Sequence, residues 1–321
     1  MNNFWQDLQK PIFILAPMED VTDTVFRRIV GLCGRPDVYF TEFTSTEGML
    51  SKGRDMVSKR LEYTEDERPL IAQIWGEKPE MYYESAKKLV EMGFDGIDIN
   101  MGCPERSVLK KGACSALIQN PSLAQEIIKA TKEGAGELPV SVKTRIGFQT
   151  ITTDEWIGFL LEQDIAALSI HGRTVKELSE VPAHWDEIGK SVQLRDQMGK
   201  DTIIIGNGDV KSREDALSKI EQYKVDGIMI GRGIFSDPWL FNKERNGDSI
   251  TFDEKLSMLQ QHLTLFESHW QGKKQFAIMK KFVKCYIHGI PGATDMRAKI
   301  MDCNSFEEAQ NIVTEFRKSL A

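Results

Sequence analysis

The sequence predicts an α/β fold: a (β/α)8 TIM barrel followed by a small C-terminal helical domain. Eight short β-rich runs, mostly apolar rather than strictly alternating, follow one another along the chain, and helix-like segments separate most of them. Such runs are typical of parallel strands covered by helices on both faces. The strand signal stops after Pro238-Trp239. We therefore expect a barrel over residues 1–243 and a helical domain over residues 250–321.

The runs are bounded by turn residues, which sets their limits. The expected strands are Ile12–Met18, Val38–Phe43, Leu70–Gly76, Gly96–Asn100, Pro139–Arg145, Ala167–His171, Thr202–Gly206 and Gly227–Gly231. Helix-like segments with Ser, Thr or Asp at several capping positions include Thr22–Gly31, Glu80–Met92, Ser122–Lys132, Thr153–Gln163 and Ser212–Tyr223. Eight strand–helix units fit a closed barrel. An open doubly wound sheet would need more strands than it usually has.

The amino-acid composition limits which kinds of protein the chain can be. Hydrophobic residues make up 41% of the 321 and charged residues 28%, which is ordinary for a globular chain. No apolar stretch is long enough to span a bilayer, and the N-terminus lacks the pattern of a secretion signal. Five scattered cysteines without a C-x-x-C pair indicate free thiols in a cytoplasmic protein. No His, Cys and carboxylate set has metal-ligand spacing, so we expect no metal.

Charge is distributed unevenly along the chain. The net charge is −7, but the chain from Ile250 onward carries ten basic and eight acidic residues, which leaves −9 on residues 1–249. This leaves room for a local anionic partner near the tail. From the residue counts alone, the better interpretation is that these charged side chains are ordinary solvent-exposed surface residues.

In a barrel the functional face is built from the carboxyl ends of the strands. The residues expected there are Ala16, Pro17 and Met18; Gln73; Asn100 and Cys103; Lys143 and Arg145; His171 and Arg173; Gly206, Asn207, Gly208 and Asp209; and Gly231, Arg232 and Gly233. The glycines after the last two strands, with Arg232 between two of them, are typical of a phosphate site, since backbone N–H groups can approach an anion there. If only one of the two loops contained these glycines, a tight turn would be enough to explain them.

Three side chains at this face could take part in chemistry. Cys103, between Gly102 and Pro104, could be a small hydrophobe, but in an apolar pocket without a cation its thiol would stay protonated and could act as an acid. Cys114 we interpret as structural. Lys143 lies in a strand, where it is costly to bury without a partner, and could pair with an acid or with an electron-rich ring. His171 could be a base, a phosphate contact or a core histidine.

These residues together resemble the tRNA-dihydrouridine synthase family. The motifs are Ala16-Pro17-Met18, Asn100-Met101-Gly102-Cys103-Pro104, Val142-Lys143-Thr144-Arg145-Ile146-Gly147, His171-Gly172-Arg173-Thr174, Gly206-Asn207-Gly208-Asp209 and Gly231-Arg232, in the family's order. In the tail, Lys280-Lys281, Tyr286-Ile287-His288-Gly289 and Pro291-Gly292-Ala293 resemble its helical domain. The resemblance covers nearly the whole chain.

The resemblance implies an FMN-dependent enzyme that reduces the C5–C6 double bond of particular uridines in tRNA, with NADPH as reductant. Hydride would pass from flavin N5 to C6, and Cys103 would protonate C5 from the opposite face. The residues that would bind the flavin are Ala16, Pro17, Met18, Gln73, Lys143, His171, Asn207, Gly208, Asp209, Gly231 and Arg232. Asn100 and Arg145 would contact the substrate uracil.

We expect the protein to be a monomer that does not bind a membrane. The C-terminal helical domain would bind the tRNA. Its cations are Lys273, Lys274, Lys280, Lys281, Lys284, Arg297 and Lys299. Two alternatives remain open from the residues. One is an FMN barrel that reduces a free pyrimidine or enone, which would not need a basic docking domain. The other is an RNA-binding or chaperone-like protein without chemistry, against which Cys103 and Lys143 count.

Overall fold

The structure, a computed structural model, describes residues 3–320. Nine parallel strands form its sheet. They are β1 (Ile12–Leu15), β2 (Tyr39–Phe40), β3 (Thr44–Ser45), β4 (Leu70–Trp75), β5 (Gly96–Met101), β6 (Val140–Arg145), β7 (Ala167–His171), β8 (Ile203–Asn207) and β9 (Gly227–Ile230). The expected strands are all present, although the second is interrupted and divides into β2 and β3.

The sheet closes on itself to form the barrel. Hydrogen-bonded neighbours follow the order β1-β9-β8-β7-β6-β5-β4-β2, and β3 pairs with β4 beyond β2. The two ends of this order meet where Ile14 bridges to Val38 in parallel. There the Leu15 amide donates to the Val38 carbonyl at 3.2 Å. The predicted (β/α)8 barrel is therefore confirmed.

Fourteen α-helices lie within the described residues. They are α1 (Phe4–Asp7), α2 (Thr24–Cys33), α3 (Thr46–Leu50), α4 (Arg54–Ser58), α5 (Pro79–Glu91), α6 (Arg106–Leu109), α7 (Pro121–Ala135), α8 (Thr153–Leu161), α9 (Trp185–Gln197), α10 (Arg213–Tyr223), α11 (Phe252–Trp270), α12 (Val283–Ile287), α13 (Ala293–Asp302) and α14 (Phe306–Leu320). Short 3-10 turns span Lys59–Leu61, Glu65–Glu67, Cys114–Gln119, Arg232–Phe235, Gly247–Ser249 and Phe276–Lys281. None of the helices described is long and apolar enough to cross a membrane.

Local sequence explains where the longer helices begin. Pro79 and Pro121 occupy the first turns of α5 and α7, where a missing N–H costs nothing. The Asn120 side chain caps α7 by accepting from the Leu123 amide at 3.3 Å. Thr251 and Glu254 form a reciprocal capping box at the start of α11.

The inner layer of the barrel is apolar at its amino end. Alternating β1 residues Ile12, Ile14 and Ala16 pack there with side chains from the other strands, and Trp5 of α1 joins the same cluster with no solvent exposure. The cluster fills that end of the barrel with side chains, so it is a packed core rather than a channel.

The chain forms two compact units. The barrel unit contains residues up to Asp23, 37–210 and 214–231, and the helical unit contains residues 24–36, 211–213 and 232 onward. Within the helical unit, Phe26 of α2 packs on Phe282 with ring centroids 4.7 Å apart and on His262 at 5.8 Å. The separate roles expected for residues 1–243 and 250–321 stay a prediction.

Candidate active site

Strand pairing brings most of the predicted site residues side by side around one end of the barrel. Asn100 lies opposite Lys143 in the β5–β6 register, and Arg145 lies opposite His171 in the β6–β7 register. His171 in turn faces Asn207 of β8. Because parallel strands share one carboxyl edge, side chains far apart in sequence converge on one face.

Asn100 holds the backbone of the loop that carries Cys103. Its Oδ1 accepts from the amides of Gly102 and Cys103, both at 3.0 Å. On the other side, the Ser115 hydroxyl donates to the Cys103 carbonyl at 2.7 Å. Held at both its amide and its carbonyl, the half-buried Cys103 presents its thiol from a defined position.

A buried carboxylate lies behind Asn100, and the sequence reasoning did not identify it. Asp98 of β5 is fully buried and accepts from the Ser141 hydroxyl at 2.6 Å and from Gln73 Nε2 at 2.8 Å. Gln73 Oε1 then accepts from Asn100 Nδ2 at 3.0 Å. Burial raises the pKa of Asp98 to about 6, while the bonds from Ser141 and Gln73 and the charge of Lys143 oppose the rise. In the sequence, Asp98 can be recognised only as an acidic residue in an otherwise apolar strand.

The Cys103 thiol lies against a second thiol. Cys114 is 1% exposed, belongs to a small buried cluster, and Cys103 packs against that cluster. A hydrogen bond from Cys114 is the main cause that lowers the pKa of Cys103 from 9.0 to about 7, opposed by burial and aided by a backbone bond at Glu105 and the charge of Arg145. Burial raises the pKa of Cys114 well above 9.0. Because Arg145 acts on this thiol as a cationic neighbour, the expected condition of an apolar pocket without a cation is not met.

Arg145 is buried and bonds to backbone carbonyls. Its Nε donates to Gly102 at 2.8 Å, and its Nη1 donates to Thr174 and Leu178, each at 3.0 Å. In this position it ties the Cys103 loop to the loop that follows β7. A direct contact of Arg145 with substrate stays a prediction.

Lys143 carries an ammonium group that is only partly satisfied. Its Nζ donates to Asn207 Oδ1 at 3.3 Å, the one hydrogen bond found for it among residues 3–320. Burial lowers the pKa of Lys143 to about 8, Arg145 lowers it further, and Asp98 and Cys103 oppose the change. A half-buried ammonium with donors to spare fits the electron-rich polar edge of a bound ring.

The loops after β7 and β8 are joined by Arg173, which the sequence placed at this face but to which it assigned no role. Arg173, only 2% exposed, pairs with Asp209, donates to His171 Nε2 at 3.1 Å and donates to the Val181 carbonyl at 2.6 Å. Asp209 also accepts from the Ala183 amide at 2.8 Å. The sequence shows Arg173 within the His171-Gly172-Arg173 motif but does not show which residues it pairs with.

Close approach explains why glycine is needed in the β8 loop. A Cβ on Gly206 would lie 2.5 Å from the Trp185 ring, and one on Gly208 would lie 2.7 Å from Ala183 Cβ. Gly208 also has φ +134°, which side chains disfavour. Both glycines are buried, and their missing side chains let Trp185 and Ala183 pack directly against the β8 backbone.

Gly231 ends β9 beside the start of the chain's first loop. A Cβ there would lie 3.6 Å from Ala16 Cβ and 3.7 Å from Met18 Sδ. Pro17 lies between those two residues and is buried. Arg232 follows Gly231, is exposed, and begins a 3-10 turn. Ala16, Met18 and Gly231 thus lie close together, and their contact with a cofactor stays a prediction.

A cavity of about 710 Å³ opens beside Cys103 within the barrel unit. Its walls include Phe43, Trp75 and Leu178, and an ion pair between Glu19 and Arg60 contributes polar groups. The volume lies in the range of small-molecule sites. Mostly apolar walls with a thiol at one side suit a planar ring. No group of His, Cys, Asp or Glu in the part of the chain described could hold a metal ion.

Known proteins resemble this chain over nearly its whole length. Residues 14–321 match the model of the dihydrouridine synthase family. A "Probable tRNA-dihydrouridine synthase" of Staphylococcus aureus strain COL is 48% identical over 99% of this chain and 97% of its own length. A "Probable tRNA-dihydrouridine synthase 2" of Bacillus subtilis strain 168 is 46% identical over 98% and 97%.

Solved structures resemble the fold at low identity. A 2-naphthoyl-CoA reductase complex has a TM-score of 0.55 at 12% identity, covering 74% of this chain and 52% of its own. A 6-hydroxypseudooxynicotine amine oxidase from Pseudomonas geniculata N1 has a TM-score of 0.54 at 12% identity, covering 71% and 46%. At this identity the likeness concerns architecture alone.

Proposed function

The chain belongs to the dihydrouridine synthase family, and from that premise we propose that it is a tRNA-dihydrouridine synthase. It reduces the C5–C6 double bond of specific uridines in tRNA, with FMN as the bound cofactor and NADPH as the reductant. The relatives that carry this name match the chain from end to end at 46–48% identity. We further propose that it acts as a monomer in the cytoplasm, where its substrate is.

One observation carries the proposal: a positioned thiol and a half-buried ammonium lie at the same end of the barrel. Asn100, whose side chain holds the Cys103 loop, is the direct strand neighbour of Lys143. The cavity beside Cys103 is large enough for a pyrimidine ring. A positioned acid can supply the proton, and a cation can stabilise the negative charge that develops as hydride is transferred.

Cys103 is the proposed proton donor to C5. Its pKa of about 7 matches the working pH, so a large fraction of the thiol carries the proton and transfers it readily. Asn100 and Ser115 hold the backbone on either side of the thiol, so the acid does not have to be oriented during the reaction. Apolar walls at Phe43 and Trp75 exclude water from the ring.

FMN, when bound, supplies the hydride for C6. The residues present fit it: Lys143 has donors to spare for its polar edge, and Gly231 and Arg232 follow β9, where backbone N–H groups and a cation can approach its phosphate. We assign Gln73 to the ring edge, His171, Asn207 and Asp209 to the ribityl chain, and Arg232 to the phosphate. Arg173 orients His171 and Asp209 from behind.

The helical unit is the proposed tRNA-docking region, and its structure narrows the expected set of cations. Lys280 Nζ donates to the Met301 carbonyl at 2.6 Å, and Lys274 lies over the Trp270 ring at 4.1 Å. Both are half-buried and therefore less available to phosphate. The exposed cations that remain are Lys273, Lys281, Lys284, Arg297 and Lys299.

The test is dihydrouridine formation in unmodified tRNA, measured by mass spectrometry after incubation with the protein, FMN and NADPH. Mapping the modified fragment identifies the uridine position in the same run. Cys103→Ala should keep its bound flavin and lose turnover by about 10²–10⁴-fold, the range for loss of a general acid. Cys303→Ala, which removes a buried thiol of the helical unit, is the matched control and should leave turnover unchanged.

Three other outcomes would contradict parts of the proposal. Near-normal turnover in Cys103→Ala would remove the proton-donor role. A yellow protein that consumes NADPH without forming dihydrouridine would favour reduction of a free pyrimidine or enone. A colourless preparation that binds tRNA but takes up no FMN would favour an RNA-binding protein without this chemistry.

A further inference from the structure

Asp98 lies beneath the site, and the reaction as proposed gives it no task. It is fully buried in β5, between Gln73 of β4 and Ser141 of β6, its partners in the strand register. Each carboxylate oxygen accepts one hydrogen bond, from the Ser141 hydroxyl at 2.6 Å and from Gln73 Nε2 at 2.8 Å. Because burying an ionisable group costs free energy, an acid buried with such short hydrogen bonds needs a physical explanation.

The bonds from Asp98 to the Cys103 loop form a relay with a fixed direction. An ionised carboxylate can only accept, so it requires Gln73 to present its amide nitrogen. Gln73 must then present Oε1 to Asn100, which donates Nδ2 to it at 3.0 Å. That leaves Asn100 Oδ1 facing the amides of Gly102 and Cys103, both at 3.0 Å. In the opposite order, Asn100 would present its NH2 group to two N–H donors.

We propose that Asp98 is a positioning residue for Cys103, because its carboxylate sets the donor–acceptor order of the relay through Gln73 and Asn100. The role of Cys103 in turnover rests on the proposed function, but its position does not. Asp98 touches neither the cavity nor the thiol, and it acts through the two amides. An amide can satisfy its neighbours in two orientations that differ by a half-turn, and an acceptor at one end selects between them.

Two substitutions reverse the relay, which makes the idea testable without removing any hydrogen bond. Asn100→Asp alone leaves Gln73 between two carboxylates, so one acceptor always faces another. Adding Asp98→Asn restores a complete set. The new amide at position 98 would donate to Gln73 Oε1, and Gln73 Nε2 would donate to the new carboxylate at position 100. That carboxylate would still accept from the amides of Gly102 and Cys103, and the double variant has the same net charge as the natural chain.

The readout is the alkylation of Cys103 by iodoacetamide, followed by peptide mass spectrometry across pH, which needs neither tRNA nor NADPH. We expect Asn100→Asp to move the midpoint of the Cys103 profile and to change its rate by about tenfold at pH 7, the scale for a buried polar group left unpaired. The double variant should return both to within about twofold of wild type. Asp98→Asn alone lets the amide at position 98 face Gln73 with either end, while Ser141 can rotate to accept, so the order is no longer enforced. The change should be intermediate between wild type and Asn100→Asp.

Turnover separates this inference from the proposed function. If the chain is a dihydrouridine synthase, kcat should fall in Asn100→Asp. For the double variant the Cys103 alkylation profile is the readout, because position 100 is also an expected substrate contact. A protein without that activity would still give the alkylation result. Additive losses in the double variant, or an unchanged Cys103 profile in Asn100→Asp, would overturn the positioning role. Should Asn100→Asp fail to fold, Asp98→Leu breaks the relay at its other end and must shift the same profile.

Discussion

Replacing Cys114 by alanine should make the Cys103 thiol a weaker acid. The hydrogen bond from Cys114 is the largest cause of the lowered Cys103 pKa, and the substitution removes it while keeping a small apolar side chain. Position 114 has φ +52°, which alanine tolerates no better and no worse than cysteine. The expected change is therefore electrostatic rather than conformational. Cys114→Ser, which keeps a donor at the same place, is the matched control.

The size of the effect follows from the two limits of the pKa. At pH 7 a thiol of pKa about 7 is about half ionised, whereas one at the ordinary 9.0 is about 1% ionised. The thiolate population can thus fall by up to about 50-fold. A thiolate of higher pKa is a stronger nucleophile, with a Brønsted slope of about 0.4–0.5. The alkylation rate at pH 7 should accordingly fall by no more than about five- to eightfold.

The assay is iodoacetamide alkylation of Cys103 from pH 5.5 to 10, with the Cys103 peptide followed by mass spectrometry. The midpoint should lie near 7 in the wild type and in Cys114→Ser, and should move toward 9.0 in Cys114→Ala. Since the midpoint does not depend on intrinsic nucleophilicity, it is the decisive quantity. An unchanged midpoint in Cys114→Ala would refute the thiol–thiol bond as the cause and leave Arg145 as the remaining cation to test.

Three further predictions use the same site and the tail. Because the donor must be protonated, kcat for dihydrouridine formation should fall as pH rises through about 7, and this limb should move to higher pH in Cys114→Ala; a flat profile across pH 6–9 would contradict it. Gly208→Ala, at φ +134° and with its Cβ 2.7 Å from a neighbouring Cβ, should weaken FMN binding by about tenfold in a fluorescence titration, while Gly158→Ala, which meets nothing within 4 Å, should not. Lys284→Glu should weaken tRNA binding and lower the slope of log affinity against log salt by about 0.7–0.9 for each phosphate that the variant no longer neutralises, whereas Lys129→Glu on α7 should leave the slope unchanged.

Local patterns predicted the strands and the residues at their ends because both depend on short-range signals. A mostly apolar run bounded by turn residues indicates a buried strand wherever it occurs, and the barrel places the ends of all such runs on one face. Those two facts were enough to gather Asn100, Lys143 and His171 at one end of the barrel. Most of the expected boundaries differ from the structure by a few residues, as they do where helices fray and strands bend.

Partnerships between distant residues could not be predicted in the same way. The sequence places Cys103 and Cys114 eleven positions apart but does not say that one thiol donates to the other. Asp98 can be seen in the sequence as an acid in an apolar strand, but only the fold places Gln73 and Ser141 on either side of it. Arg173 likewise acquires its meaning from Asp209, 36 residues later. Such pairs depend on the register of neighbouring strands, which no local pattern encodes.

The helical unit is assembled from chain segments that are made at very different times. Helix α2 leaves the ribosome early, but its ring partners His262 and Phe282 follow more than 200 residues later. At a synthesis rate of about 5–20 residues per second, on the order of 10–50 s pass between the synthesis of α2 and that of its packing partners. During that interval Phe26, Ile29 and Val30, all fully buried in the finished protein, are available to other hydrophobic surfaces. The chain should therefore depend on chaperones during synthesis, and a C-terminal fragment produced alone should lack one of its own core helices.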